Sequence, residues 1–442
     1  MTNKVITRFA PSPTGHFHLG GVRSALYNYL FAKQNNGLYI LRSEDTDKTR
    51  SKKEYEDGFL ELFDWLGLEH DQFFRQSERT EIYKKYLEKM IAGGFAYISK
   101  EEPKEEGGRS EVIRFKNPNK KITFTDIILG DITFDTTDLK DFVIARSLEE
   151  PLYHLTVVID DHEMEVSHVI RGQEHVANTP RQILIQEAIG ASRPIYAHLP
   201  LILNKDRAKL SKRDPEVIPA LEYRELGYMP EAILNFMALI GWNPGGEKEI
   251  FTLDELIKIF DLSKVQKGGG AFNSEKLGWL NKEHMKLLSE NVRNREIAER
   301  LKKLGYEKVS EKIYQIIFEH ISKWSDIDTM AGAGELDYYF KAPKYETSLL
   351  YWKGTSAPEE TKKHLEHAVD LLNNAPKEVF SDTEKIKNII FDYATKNGHG
   401  QVLWPLRVAL SGREKSPDPF SLIYILGKDE TVSRINNAIQ KL

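Results

Sequence analysis

The chain has 442 residues, which at roughly 100–200 residues per domain predicts two to four domains. It contains no cysteine, which excludes disulfides, thiolate nucleophiles and every Cys-ligated zinc or iron–sulfur site. With a formal net charge of -5, any nucleic-acid surface must be a local basic patch. The sequence has no apolar run long enough to span a membrane, and no basic-then-apolar start, so neither a span nor a secretory leader is expected.

A strand begins at Val5 and Ile6 and runs into the turn-rich Ala10-Pro11-Ser12-Pro13-Thr14-Gly15. Val22, Ala25, Leu26, Tyr29 and Leu30 then recur at helical spacing, and Asn35-Asn36-Gly37 supplies the stop. Tyr39 to Leu41 reads as a second buried strand. Strand, helix, strand is a βαβ unit, which implies a parallel sheet with ligand at the strands' carboxyl ends. Residues 99–108 are charged and turn-rich and mark a boundary. Beyond it, strands are expected at 112–116, 127–129, 132–134 and 142–145, with Gly130-Asp131 as a hairpin signal. Residues 155–159 are expected as a buried strand ended by Asp160-Asp161, a pair read as structural, and 179–189 as a helix. From about residue 216 the pattern is helical, as in Val292, Ile297, Leu301 and Leu304, closed by Gly305.

His18-Leu19-Gly20-Gly21 stands where the first loop enters the first helix. Two glycines there let a backbone lie against a purine, helix N-terminal amides favour phosphate, and a histidine can donate to a phosphoryl oxygen. A tight turn beside a surface histidine would look the same. Further on, Leu203-Asn204-Lys205-Asp206-Arg207-Ala208 leads into Lys209-Leu210-Ser211-Lys212-Arg213, a basic stretch without helical or strand period. Nucleotidyl transfer needs such cations, because its catalysis is charge stabilisation and positioning. Taken alone, the cluster equally describes a solvated loop.

Together and in this order, the two elements resemble the signatures of the class I aminoacyl-tRNA synthetases. Arg8-Phe9-Ala10-Pro11-Ser12-Pro13-Thr14-Gly15 before His18-Leu19-Gly20-Gly21 is similar to the glutamyl-tRNA synthetase form of the HIGH motif, and Lys209-Leu210-Ser211-Lys212-Arg213 to its KMSKS motif. The likeness continues through residues 41–47, 75–79, 169–175 and 405–413, and is weakest at 97–125 and 285–395. It implies a Rossmann-type α/β catalytic domain in two halves, 1–95 and 151–215, separated by a small β-rich acceptor-binding insertion at 96–150. Helical stem-contact (216–305) and anticodon-binding (306–442) domains follow. The implied enzyme is a glutamate–tRNA ligase, a cytoplasmic monomer that joins L-glutamate to tRNA(Glu) through glutamyl-adenylate. AMP and pyrophosphate leave, and tRNA(Gln) is an open second acceptor.

Carried over residue by residue, the resemblance sets Arg8, Ala10, Ser12, Glu44, Tyr153, Val157 and Arg171 around the amino acid. It sets His18, Gly20, Gly21, Glu174, Ser211 and Lys212 around ATP, with His18, Lys209 and Lys212 stabilising charge as the reaction proceeds. The chemistry agrees, since glutamate brings two carboxylates and one ammonium to two arginines and one carboxylate. Magnesium would arrive with ATP, held by phosphate and water rather than by a protein cage. Two departures stand out. Val157 lacks the side-chain amide that some relatives place there, and Ala96-Tyr97 is followed by Ile98-Ser99-Lys100 instead of the zinc knuckle of many bacterial relatives, so no structural zinc is expected. Among rivals, a glutaminyl-tRNA synthetase is disfavoured because Arg171 suits an anion better than an amide. The shortened relative that glutamylates a tRNA base lacks the long helical tail. A non-catalytic tRNA-binding paralogue would not require every ATP and substrate position to be intact.

Overall fold

Short apolar runs form the strands Ile6–Phe9 (β1), Leu38–Ser43 (β2), Gln72–Arg75 (β3), Ala96–Lys100 (β4), Glu111–Phe115 (β5) and Lys121–Asp126 (β6). Gly130–Asp135 (β7), Phe142–Ser147 (β8), Glu150–Pro151 (β9), His168–Gly172 (β10) and Ile195–Leu199 (β11) follow. Between them lie the helices Leu19–Gln34 (α1), Lys53–Trp65 (α2), Thr80–Ala92 (α3), Tyr153–Glu163 (α4) and Thr179–Ile189 (α5). The computed structural model describes residues 4–101, 110–210, 218–307, 310–354 and 357–442.

The main sheet has the order β3-β2-β1-β10-β11-β6-β7. Pairing is parallel from β3 to β6, and β7 closes the edge as an antiparallel hairpin with β6. Strand order reverses between β1 and β10. Open α/β sheets bind ligands at such a switch point, beyond the strands' carboxyl ends. Alternation along each strand feeds two cores. Tyr39, Leu41 and Ile170 join a cluster with α1, whereas Ile40 and Val169 join one with α4 and α5. A sheet covered on both faces needs near-continuous apolar strands, which is how the sequence reads at 39–41. The remaining strands of 96–150 form a separate sheet, β4-β5-β8-β9.

α1 buries the expected stripe, with Val22, Ala25, Leu26 and Leu30 fully enclosed, and Asn36 takes φ 48° after its end. Residues 155–159, expected as a strand, are instead the middle of α4. Residues 155–161 are buried on every side, so no polar face imposes a helical period, and four of the five residues at 155–159 are β-branched. Residues 127–129 are likewise not a strand but the turn between β6 and β7. The Asp126 carboxylate accepts from the backbone N–H of Ile128 and of Leu129, both at 2.9 Å, and Ile128 is buried, which is why an apolar turn is stable there.

The chain forms two compact units, Met1–His284 and Met285–Leu442. Among the described residues the second unit is helical, around a core including Leu365, Leu372, Ile386, Ile390, Leu406 and Ile435. Its helix Glu290–Lys303 buries Ile297 and Leu301 and is followed by Gly305 at φ +84°, as the sequence pattern predicts. The architecture is a parallel-sheet α/β core followed by helices.

Candidate active site

Arg8 and Arg171 are the penultimate residues of adjacent strands, β1 and β10, so both reach the carboxyl-end switch point. There a cavity of about 340 Å³ is lined by Arg8, Ala10, Ser12, Glu44, Tyr153, Val157 and Arg171, with Gly20, Gly21, Ser24, Gly172, Glu174 and His175 completing its wall. A second recess of about 230 Å³ is lined by His18, Gly20, Arg23, Ser24, Gly172, Glu174, Pro200, Leu201, Ile202, Lys209 and Leu210. The two share Gly20, Ser24, Gly172 and Glu174. The structure therefore brings all seven amino-acid candidates to one cavity, and His18, Gly20, Glu174 and Lys209 to its neighbour. Gly21 lines the first. Ser211 and Lys212 lie outside the described residues.

A buried ion-pair chain fixes one side of the larger cavity. Asp161 Oδ1 accepts from Arg8 Nε at 3.1 Å and from an Arg42 terminal nitrogen at 2.8 Å, while Arg42 also reaches Glu44 at 3.2 Å. Burial pushes the Asp161 carboxyl up, but Arg8 and Arg42 outweigh it and hold it below the usual range. Burial raises Glu44, against the lowering pull of Arg42 and Arg8. Asp160 takes Arg79 at 2.7 Å, Tyr83 at 2.8 Å and Gln76 at 2.9 Å. The aspartate pair is thus structural, with Asp161 orienting a cavity-lining arginine.

Arg171 is different. It is only 7 % exposed, and its side-chain bonds go to His198 Nε2 (3.2 Å) and Thr179 Oγ1 (2.9 Å), with no carboxylate partner among the described residues. Burial lowers its pKa, as expected of a cation withdrawn from water without an anion. A buried unpaired charge is costly unless an anion is delivered to it. Next to it, Tyr153 Oη and Asn178 Nδ2 each lie 3.2 Å from His175 Nδ1. The amide can only donate, so the lone pair is on Nδ1 and the neutral ring carries its proton on Nε2. Burial and nearby Arg171 push His175 down to about 4, which keeps it neutral near pH 7.

The helix start has two dissimilar glycines. A Cβ on Gly20 would meet only Ile202 Cδ1, 4.0 Å away, whereas one on Gly21 would overlap the Phe17 ring. Gly20 leaves space for a ligand; Gly21 leaves space for Phe17. His18 Nδ1 lies 3.3 Å from the Ile218 carbonyl oxygen, which can only accept, so Nδ1 is protonated. Arg23 is buried and donates to the Pro200 and Ile240 carbonyls, tying the wall of the smaller recess. Sequence reasoning passed over Arg23, Ser24 and His175. Ser24 stands one turn after Gly20 on the same helix face, a spacing that could have found it. Arg23 carried no local signal, since the carbonyls it meets belong to Pro200 and Ile240, and the contact of His175 with Tyr153 spans 22 residues.

Two adjoining recesses at the switch point of a parallel sheet, sharing Gly20, Ser24, Gly172 and Glu174, can hold two substrates side by side. The family model described as tRNA synthetases class I (E and Q), catalytic domain, matches residues 4–106 and 99–279, and the one described as anticodon binding domain matches 282–439. The glutamate–tRNA ligase of Aquifex aeolicus (strain VF5) is 39 % identical over 479 residues, covering 100 % of both chains. That of Thermodesulfovibrio yellowstonii is 39 % identical over 473 residues, covering 98 % of this chain and 99 % of its own. A crystal structure of a glutamate tRNA ligase from Elizabethkingia meningosepticum, in complex with its amino acid, is similar with a TM-score of 0.88 at 35 % identity, covering 100 % of both chains. The chain belongs to the glutamate–tRNA ligase family of class I synthetases.

Proposed function

We propose that this enzyme condenses L-glutamate with ATP to glutamyl-adenylate and transfers the glutamyl group to the terminal adenosine of tRNA(Glu), as a monomer in the cytoplasm. One observation carries the reading: a buried Arg171 without a carboxylate partner among the described residues, facing a cavity whose other charged side chains are Arg8, Glu44 and Glu174. Arg171 receives the side-chain carboxylate, and Glu44 the ammonium. Arg8, its charge shared with Asp161, aligns the α-carboxylate without quenching it as a nucleophile. Ala10, Ser12, Tyr153 and Val157 supply the cavity's shape, and His175 Nε2–H stands in for the amide that Val157 lacks.

The α-carboxylate attacks the α-phosphorus in line and pyrophosphate leaves. His18, Lys209 and Lys212 stabilise charge on the phosphates, and Ser211 adds a hydroxyl beside ATP. Because His18 Nδ1 is committed to a carbonyl, donation to phosphate from Nε2 requires the doubly protonated ring. Gly20 and Glu174 border the adenosine, while Gly21 gives Phe17 its room. The tRNA ribose hydroxyl then attacks the carbonyl carbon of the mixed anhydride and AMP leaves. Magnesium enters with ATP, and no structural zinc takes part. The catalytic halves 1–95 and 151–215, acceptor-facing insertion 96–150, stem-contact segment 216–305 and anticodon-binding segment 306–442 divide the work.

The test is aminoacylation of separately purified tRNA(Glu) and tRNA(Gln) with radiolabelled glutamate or glutamine, after dialysis against a chelator and magnesium repletion. Glutamyl-tRNA(Glu) is expected, and the tRNA(Gln) arm decides the second acceptor. Charging by glutamine alone would overturn the reading, and activity regained only with zinc would overturn its zinc-free part.

A further inference from the structure

Arg171 is held by two neutral acceptors, and one of them is tethered in turn to the 96–150 segment. β6 of that segment pairs in parallel with β11 through Tyr196 and Asp126, which brings the Asp126 carboxylate beside His198 on β11. Asp126 Oδ2 lies 2.6 Å from His198 Nδ1 and accepts the His198 backbone N–H at 3.0 Å. With the backbone donors of Ile128 and Leu129 as well, this carboxylate is fully partnered and buried. Burial pushes its pKa up, but the His198 bond and the amides outweigh that and keep it ionised.

An acceptor-only carboxylate at Nδ1 requires a proton there. In the neutral ring the lone pair then sits on Nε2, the atom 3.2 Å from Arg171 Nε. Thr179 Oγ1, 3.3 Å from the same Nε2, accepts a second guanidinium N–H of Arg171 at 2.9 Å. The Tyr196 ring stacks on the imidazole at 6.1 Å, while Phe124 lies 6.3 Å away, and both limit its rotation.

We infer that Asp126 and His198 are positioning residues for Arg171: the carboxylate fixes the imidazole tautomer, and the imidazole aims the guanidinium while leaving its charge for the substrate. A carboxylate in direct contact would aim Arg171 equally well but neutralise it. One intervening neutral ring separates the two effects. The inference rests on the reading of Arg171 as the residue that meets the substrate carboxylate, and it carries that function into a hairpin of the 96–150 segment.

The test uses two substitutions that divide the imidazole's bonds. His198→Asn keeps an amide near the Nδ1 position, so the Asp126 tie survives and the Arg171 contact is lost. His198→Gln carries a polar atom out to the Nε2 position, restoring an acceptor for Arg171. Expected for His198→Asn is a KM for glutamate raised roughly tenfold, the loss of one hydrogen bond to a charged group, with kcat and the KM for ATP within about twofold. His198→Gln should recover most of that loss. A role in stability alone predicts the reverse order, with Asn harmless. Arg171→Ala is run alongside: if it leaves the KM for glutamate unchanged, the reading of Arg171 fails; if it raises the KM while His198→Asn does not, the positioning role alone fails. Histidine ¹⁵N NMR of the unmodified enzyme reads the tautomer without any variant. A proton on Nδ1 of His198 supports the inference, and one on Nε2 overturns it whether or not the variants fold.

Discussion

Glu44 and Arg171 are single residues whose surroundings set what they can do. Glu44 is buried with its carboxyl raised, so its charge is lost at higher pH than that of an exposed glutamate as the solution is acidified. If it holds the substrate ammonium, the KM for glutamate should climb as pH falls toward 5 while kcat changes less, and Glu44→Gln should show a high, pH-independent KM. A wild-type KM that stays flat across that range would remove Glu44 from the site. The sequence offered Arg8, Glu44 and Arg171 for the amino acid only through its resemblance to the family, with which the charges of glutamate agree. The asymmetry between the arginines was not legible there. It arises from Asp161 on α4, 153 residues from Arg8, and His198 on β11, 27 residues from Arg171, and no local pattern reports such partners.

α1 opens on two glycines that the sequence cannot tell apart and the packing can. Gly→Ala inside a helix ordinarily stabilises by about 1 kcal/mol. At Gly21 the new methyl would overlap the Phe17 ring, so Gly21→Ala should lower Tm. At Gly20 it meets open space, so Gly20→Ala should leave Tm unchanged or higher while raising the KM for ATP. Equal behaviour of the two variants in thermal melts and ATP titrations would contradict this division. α4 is where periodicity failed: a helix enclosed on every face shows no stripe, and its β-branched run imitates a strand. It also carries His154, whose Nδ1 is buried without a partner among the described residues, and which burial and Arg181 push down to about 4. The unfolded ring titrates near 6.5, so as pH falls the unfolded state takes up the proton first. This contribution to stability is therefore full above 6.5 and is lost progressively between 6.5 and 4. His154→Leu should raise Tm more at pH 5 than at pH 8, and a pH-independent difference would show that His154 plays no part in acid sensitivity.

At the scale of the whole molecule, an acidic chain with a net charge of -5 has to bind a polyanion. Local cation–phosphate pairs accomplish this, and each releases counterions. Binding of tRNA should therefore weaken steeply with salt, with a log–log slope steeper than about -2, the value for roughly two to three phosphate contacts. A flat dependence in filter binding between low and physiological salt would contradict it. The order of the chain was legible at this scale, because the loop-to-helix glycines and the KLSKR stretch flank a strand-rich middle. The joining of β6 to the main sheet was not, since edge pairing by a distant hairpin leaves no mark on either strand's own sequence. On the proposed function, the buried Arg171 awaiting a carboxylate makes this enzyme choose glutamate. The direct measurement is the ratio of kcat/KM for glutamate over glutamine, in the unmodified enzyme and in Arg171→Ala, with tRNA(Glu) as acceptor. Removing one member of a buried charge pair costs about 3–5 kcal/mol, and glutamine has no charge to lose, so the ratio should collapse by at least two orders of magnitude. A ratio unchanged by the substitution, with both amino acids impaired alike, would contradict the account.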